Sequence, residues 1–90
     1  MITALLFIDC DPDKTEEVAE VADHVAGVSE TYVTAEAGQQ VIAVLRVPDS
    51  TMYPAIQDAL RLPGVRNFRL TPVLSARATD DLSRIRNDYE

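Results

Sequence analysis

The sequence predicts a single α+β domain of the ferredoxin-like class, a βαββαβ chain that forms a four-stranded antiparallel sheet with two helices on one face. The first observation is a repeat: Val25-Ala26-Gly27-Val28 ends a helical pattern and opens an extended one, and Leu62-Pro63-Gly64-Val65 does so again. A glycine at each junction suits the left-handed residue that ends many helices. The second observation is that two of the extended segments are apolar on both faces, which indicates strands covered on both sides.

The first and third strands, residues 2–9 and 41–47, are predicted to form the centre of the sheet. On the first strand one face carries Ile2, Ala4, Leu6 and Ile8, and the other carries Thr3, Leu5 and Phe7. Successive side chains of a strand point to opposite faces, so this sequence makes both faces largely apolar. Two helices on one side of the sheet can cover only one of these faces. We therefore expect the helix-free face to be an interaction surface that joins two copies of the chain.

The second and fourth strands are predicted at the two edges of the sheet. Residues 28–34 are more polar than the other strands, and residues 67–74 contain Pro72. Proline removes a donor from the hydrogen-bond ladder and is tolerated mainly at sheet edges.

The first helix is predicted to begin with a capping box formed by Asp13 and Glu16. Its apolar stripe comprises Val18, Val21, Ala22 and Val25. The second helix is predicted to start near Tyr53, because Pro54 cannot lie in a helix interior without losing a hydrogen bond. Its stripe comprises Ile56, Ala59 and Leu60.

The end of the chain predicts a separate short helix. Leu82, Ile85 and Tyr89 share one side of a helical pattern within residues 78–90. Such a short helix is marginal alone, so we expect it to dock on the body of its own or another subunit. The predicted organisation is a domain at residues 1–77 followed by a helical tail at 78–90.

Charge and composition exclude several classes of partner. Fifteen acidic residues against eight basic ones give a net charge of −7, which repels a phosphate backbone, so no direct nucleic-acid binding is expected. The single cysteine, Cys10, cannot form an internal disulfide. The apolar opening segment is too short for a membrane span and lacks the pattern of a secretory signal. These features predict a cytoplasmic protein with no membrane partner.

Four stretches resemble the ligand-binding domain of the leucine-responsive and asparagine-responsive regulators, the RAM domain of the Lrp/AsnC family. They are ITALLFID at 2–9, GVSETY at 27–32, VIAVLRVPD at 41–49 and LPGV at 62–65. The tail resembles the extra segment of single-domain, actinobacterial-type members, which lack the DNA-binding helix-turn-helix. The resemblance implies a dimeric α/β-barrel in which two sheets pack face to face, dimers that assemble further, and amino-acid effectors bound between neighbouring dimers. It also implies a possible partner, a full-length regulator of the same family.

The resemblance also implies where a ligand would bind. The family carries a Gly-acidic-aromatic-Asp turn before its third strand. The corresponding stretch here is residues 35–40, where the glycine comes one residue later, and its candidate ligand-binding residues are Glu36, Gly38, Gln39 and Gln40. Gln40 stands where the family has the aspartate, so any amino acid is expected to bind weakly. By position, the end of the fourth strand, Thr71 to Val73, falls on the stretch that lines the family's effector cleft.

Three features could be given a catalytic or metal-binding role, but a structural role explains them better. His24 has no second histidine to share a metal ion, and Cys10 has no adjacent base to activate it as a nucleophile. The alternating Asp9, Asp11 and Asp13 lack the glycine and distal glutamate of a calcium loop. We therefore predict no catalytic residue, no metal site and no cofactor.

The leading hypothesis is a non-enzymatic, oligomerising domain that binds a small molecule of the amino-acid type. The first alternative is a small dimeric α/β-barrel enzyme, in which His24 would have to face a cleft between sheet and helices. The second is a purely structural assembly module whose effector site has decayed. Fold alone does not choose among these three.

Overall fold

The computed structural model describes residues 1–34 and 40–74. Its elements are β1 (Ile2–Cys10), α1 (Thr15–Asp23), β2 (Val28–Val33), β3 (Gln40–Val47), α2 (Tyr53–Ala59) and β4 (Val65–Pro72). The strands form one four-stranded sheet in the order β2-β3-β1-β4, and every neighbouring pair is antiparallel. The chain has a ferredoxin-like fold, as the sequence predicts.

Strands β1 and β3 are central and β2 and β4 are the edges, which confirms the prediction. Strand β4 begins and ends two residues earlier than expected. It begins early because Gly64, at φ 93°, turns the chain straight into the sheet. The Gly64 carbonyl there accepts a hydrogen bond of 2.8 Å from the backbone N–H of Asp11. Pro72 is the last strand residue, a position that tolerates a missing N–H.

The hydrophobic core lies between the sheet and the two helices. Alternate residues of the central strands enter it, and these are Ala4, Leu6, Ile8, Cys10, Val41, Ala43, Leu45 and Val47. Helix α1 adds Val18, Ala19 and Ala22, and Ile56 and Leu60 join from α2 and its C-cap. The predicted apolar stripes were wrong at one residue in each helix, since Val21 of α1 and Ala59 of α2 are exposed. In α1 the core-facing positions are instead Thr15, Val18, Ala19 and Ala22.

The two helix starts differ in how well the sequence predicted them. The capping box of Asp13 and Glu16 was wrong, because Lys14 is the N-cap of α1 and no side chain caps it. A turn closed by the Lys14 N–H and the Asp11 carbonyl oxygen, 2.9 Å apart, leads into the helix instead. Helix α2 does begin at Tyr53, after a 3-10 turn over residues 50–52.

Gly27 is required where α1 gives way to β2. Its φ of 97° belongs to the left-handed region that favours glycine. An added Cβ would also lie only 2.9 Å from Ile56 Cδ1 and 3.0 Å from Val47 Cγ1. The close approach lets the Gly27 carbonyl accept a 2.8 Å hydrogen bond from the N–H of Arg46, which ties the turn to β3.

Two predicted features lie outside the described residues. They are the helical tail at 78–90 and the turn residues Glu36, Gly38 and Gln39. Among the helices of residues 1–34 and 40–74, none has both the length and the apolar character that a membrane crossing requires.

Thr31 gives a test of the packing between β2 and α1. Its Oγ1 is buried and has no hydrogen-bond partner among the described residues. Removing an unsatisfied buried hydroxyl eliminates its desolvation penalty, so Thr31→Val should raise the free energy of unfolding by about 1 kcal/mol. Urea denaturation followed by circular dichroism measures the change.

The matched control is Thr34→Val, at the end of the same edge. Thr34 Oγ1 donates to the Gln40 carbonyl oxygen at 3.3 Å and accepts from the Gln40 N–H at 3.1 Å. This variant loses satisfied bonds and should therefore lower stability. Equal destabilisation by both variants would contradict the prediction for Thr31.

Candidate functional site

The sheet face opposite the helices, called here the open face, has an apolar centre. Leu5 pairs with Val44 and Phe7 pairs with Ile42 across the two central strands. All four side chains are partly exposed, in contrast to the buried neighbours that point toward the helices. Within the described chain, this is the face that helices leave uncovered, and it is where the sequence places its interaction surface.

The two edges of the open face carry opposite charges. Across the row that contains Phe7, Tyr32 of β2 lies on one side and Arg69 of β4 lies on the other. The Arg69 guanidinium sits 4.4 Å above the Phe7 ring, a cation–π contact. On β2, the Tyr32 hydroxyl donates a hydrogen bond to Glu30, and this bond and the Glu30 charge raise the pKa of Tyr32.

A β-bulge places Glu30 and Tyr32 on this face. Val28 pairs with Leu45 on the helix side, but the next pair is Glu30 with Val44, so Ser29 is an extra residue. The Ser29 hydroxyl donates to the Val44 carbonyl oxygen at 3.2 Å. Without the extra residue, simple alternation would have turned both side chains toward α1.

Gln40 lies at one end of the open face and is hydrogen-bonded to Asp9. Its Nε2 donates to Asp9 Oδ1 at 2.6 Å, and the two residues are cross-strand partners. The sequence had placed Gln40 in the turn before the third strand. In the structure Gln40 is instead the first residue of β3. The backbone of Thr34 holds it there, because the Thr34 N–H donates to the Gln40 carbonyl oxygen at 3.0 Å. A carboxylate is therefore present beside Gln40, on the neighbouring strand.

The other predicted ligand-binding residues of β4 lie far from Gln40 in the same chain. Thr71 pairs with Leu5, and the Val73 N–H donates to the Thr3 carbonyl oxygen at 2.9 Å. Thr3 and Asp9 are six residues apart on β1, which corresponds to about 20 Å along a strand. A ligand that touches both Gln40 and Val73 would therefore have to lie between two different chains.

Cys10 lies on the core side of β1, and His24 is an exposed residue at the end of α1. The Cys10 thiol is buried and donates to the Ile8 carbonyl oxygen at 3.6 Å. Burial, followed by the negative charge of Asp9, raises its pKa and keeps it in the unreactive thiol form. The exposed ring of His24 has Nδ1 2.8 Å from the Glu20 carbonyl oxygen, at the end of α1. In the described part of the chain, no three His, Cys, Asp or Glu side chains are close enough together to hold a metal ion.

Two shallow grooves lie away from the open face's apolar centre. One, of about 260 Å³, is bounded by Arg61, Arg66 and Phe68. Both arginines there are already paired, Arg61 with Asp58 and Arg66 with Asp11. The other, of about 210 Å³, is an apolar groove between the helices, with Val25, Met52 and Ile56 among its lining residues.

Comparisons with known proteins support the fold and go no further. No family model and no curated protein matches this chain. Among solved structures, the chain is similar to the crystal structure of TTHA0845 from Thermus thermophilus. The two share 24% identity with a TM-score of 0.72, over 88% of this chain and 100% of the other. This similarity shows the ferredoxin-like fold alone.

Asp9 and Arg69 were not among the predicted ligand-binding residues, and the sequence drew attention to Asp9 only as part of a calcium-loop pattern. The sequence did indicate on which face Asp9 lies, because Leu5, Phe7 and Asp9 are alternate residues of one strand and so share a face. Arg69 could be assigned to the open face only once the register between β1 and β4 was known.

An exchange of donor and acceptor tests the Asp9–Gln40 pair. Gln40→Glu would set a second carboxylate against Asp9 and should lower the free energy of unfolding by about 1–2 kcal/mol, as the bond is lost and like charges meet. Adding Asp9→Asn restores one donor and one acceptor with the same side-chain lengths. We expect most of the stability to return in the double variant, measured by urea denaturation at neutral pH. Additive losses would mean that the two side chains do not interact.

Proposed function

We propose that the chain is a non-enzymatic, oligomerising domain of cytoplasmic type that binds a small molecule of the amino-acid class. We further propose that it modulates full-length transcription regulators of the Lrp/AsnC type by mixed assembly. The observation that carries the proposal is the open face, an apolar sheet surface that ends in the Asp9–Gln40 pair.

The size of the open face favours a second copy of the chain as its cover. Four strands at their usual spacing are about 19 Å wide, whereas a helix with its side chains is about 10–12 Å across. A single helix would cover the two central strands and leave the edge strands, with Glu30, Tyr32 and Arg69, exposed. A second sheet matches it in width, curvature and chemistry, and packs at the usual distance of about 10 Å.

The Asp9–Gln40 pair provides the chemistry for an amino acid. A carboxylate attracts an α-ammonium group, and a side-chain amide can both donate to a carboxylate and accept from an amine. The resemblance had implied a lost charge at this end of the sheet, but Asp9 supplies one from the adjacent strand. Because Thr71 and Val73 lie at a distance, their participation requires a neighbouring subunit.

The side chains that could carry catalysis favour binding over an enzyme. The Cys10 thiol is buried among apolar residues, and the exposed His24 ring is held against its own helix, outside the core between sheet and helices. Among residues 1–34 and 40–74, neither has a partner beside it of the kind that activates a nucleophile or a general base. The enzyme alternative would need such a partner from outside these residues or from another chain.

A charge on the open face tests the dimer. Leu5→Asp should convert the wild-type dimer to monomer, because an unpaired carboxylate would be buried at the centre of the interface. Sedimentation velocity at micromolar concentration measures the mass. Ala26→Asp, on an exposed residue of the α1–β2 turn, is the control and should leave the dimer intact. A wild type that is folded and monomeric under these conditions would contradict the proposal.

Calorimetric titration tests the effector. Each of the twenty amino acids is titrated into the wild type, Asp9→Asn and Gln40→Glu. We expect weak binding of at least one amino acid by the wild type and a loss of about tenfold or more in Asp9→Asn, since charge-assisted hydrogen bonds are the stronger kind. Binding that is indifferent to residues 9 and 40 would place the ligand elsewhere. No binding by an intact oligomer would favour the purely structural module.

A further inference from the structure

We infer that the two subunits of the proposed dimer are related by a two-fold axis that runs parallel to the central strands. In this arrangement β2 of one subunit faces β4 of the other, and Arg69 pairs with the partner's Glu30 and the partner's Tyr32. The inference rests on the proposed dimer and specifies its geometry. It assigns to the charged edges of the open face the role of setting how two copies meet.

Symmetry restricts the choice of arrangement. Two identical sheets that pack face to face with aligned strands must be related by a two-fold axis in the plane between them. An axis along the strands brings β2 opposite the partner's β4. An axis across the strands brings β2 opposite the partner's β2, and β4 opposite the partner's β4.

The charges at the edges distinguish these two arrangements. The axis along the strands keeps each row in place, so Arg69 faces Tyr32 of the other subunit and lies one row from its Glu30. The axis across the strands brings Arg69 close to its own copy and Glu30 close to its own copy. Like charges at an interface disfavour that pairing, and opposite charges favour the first.

The charges at the ends of the strands favour the other arrangement, with the axis across the strands, but more weakly. Asp9 and Arg46 lie near opposite ends of the open face and would approach each other if the axis ran across the strands. With the spacing between strands included, they stand about 10 Å from the middle of the face, and Arg69 and Glu30, on the edge strands, stand about 8 Å from it. Asp9 is also already hydrogen-bonded to Gln40. Arg69 and Glu30 are thus somewhat nearer the middle and better desolvated than Asp9 and Arg46, so the Arg69 and Glu30 pairing prevails.

The side chains at the edges are already oriented for this contact. Arg69 lies over Phe7, above the sheet surface, where its guanidinium edge can meet a partner across the interface. Tyr32 is 53% exposed and is hydrogen-bonded to Glu30, so an aromatic face and a carboxylate lie together on β2. A guanidinium recognises both groups at once, through stacking and through charge-assisted hydrogen bonds.

Charge reversal tests the inference with the full chain. Arg69→Glu and Glu30→Arg should each weaken self-association by about tenfold or more, because each homodimer then contains two like-charged pairs. When the two variants are mixed, both pairs in the heterodimer are opposite in charge. We therefore expect the mixture to form one-to-one heterodimers with nearly wild-type affinity, seen by sedimentation and native mass spectrometry.

Three control variants change charge by equal amounts elsewhere. Glu20→Arg and Arg61→Glu lie on exposed positions of the helix side and should leave association unchanged. Arg46→Glu, at the end of the open face, should have a smaller effect than Arg69→Glu. Circular dichroism checks the fold of every variant, and Arg69→Gln with Glu30→Gln replaces the reversed pair if either variant fails to fold.

The possible outcomes separate the inference from the proposed function. A monomeric wild type defeats both. A wild-type dimer that Leu5→Asp disrupts, but that shows no rescue when the reversed variants are mixed, keeps the proposed dimer and overturns the axis. Strengthening by Arg69→Gln or Glu30→Gln alone, each of which would remove a like-charged pair, or a loss caused by Arg46→Glu and not by Arg69→Glu, would favour the axis across the strands.

Discussion

The antiparallel pairing of β1 with β3 and with β4 is the constraint from which the other features follow. It sets Ala4, Leu6 and Ile8 beneath the helices and, by the same alternation, Leu5 and Phe7 on the opposite face. Because the side-chain period is two, a shift of one residue in register would exchange the two faces of β1. The core that stabilises the fold and the surface proposed for assembly are thus fixed by one set of hydrogen bonds.

Departures from regular pairing give the open face its chemistry. The bulge at Ser29 moves the acidic and aromatic residues of β2 onto the face, and β4 supplies the opposing arginine. A second irregularity, where Cys10 pairs with Val65 after Asp9 pairs with Asn67, leaves Arg66 free of the ladder to bind Asp11. Fold similarity of the kind found here carries no such detail, since side chains of this kind differ among proteins that share a backbone.

The sequence predicted the parts of the fold that depend on alternation and on special residues. The central and edge strands, the two junction glycines and the start of α2 at Tyr53 follow from apolar patterns and from the restricted backbones of glycine and proline. The absent cap at Asp13 could not be foreseen, because it goes with a turn that the Lys14 N–H closes onto the Asp11 carbonyl oxygen, and this turn makes Lys14 the N-cap. The bond between Asp9 and Gln40 depends on strand register, and its partners are 31 positions apart. Of the six predicted ligand-binding residues, Gln40, Thr71 and Val73 are described, and one chain does not bring them together.

The central position of β1 also has a consequence for the order in which the protein can fold during synthesis. A ribosome makes β1 before β3 and β4. Strand β1, which is apolar on both faces, is therefore unpaired until each of these neighbours has been made. Its last hydrogen-bonding partners, in β4, emerge after the rest of the described elements. Contacts of such long sequence separation slow folding because loop closure costs entropy before pairing stabilises the chain. Until β4 arrives, the edge of β1 that will pair with it is unsatisfied, and an unpaired edge of this kind can pair with another chain.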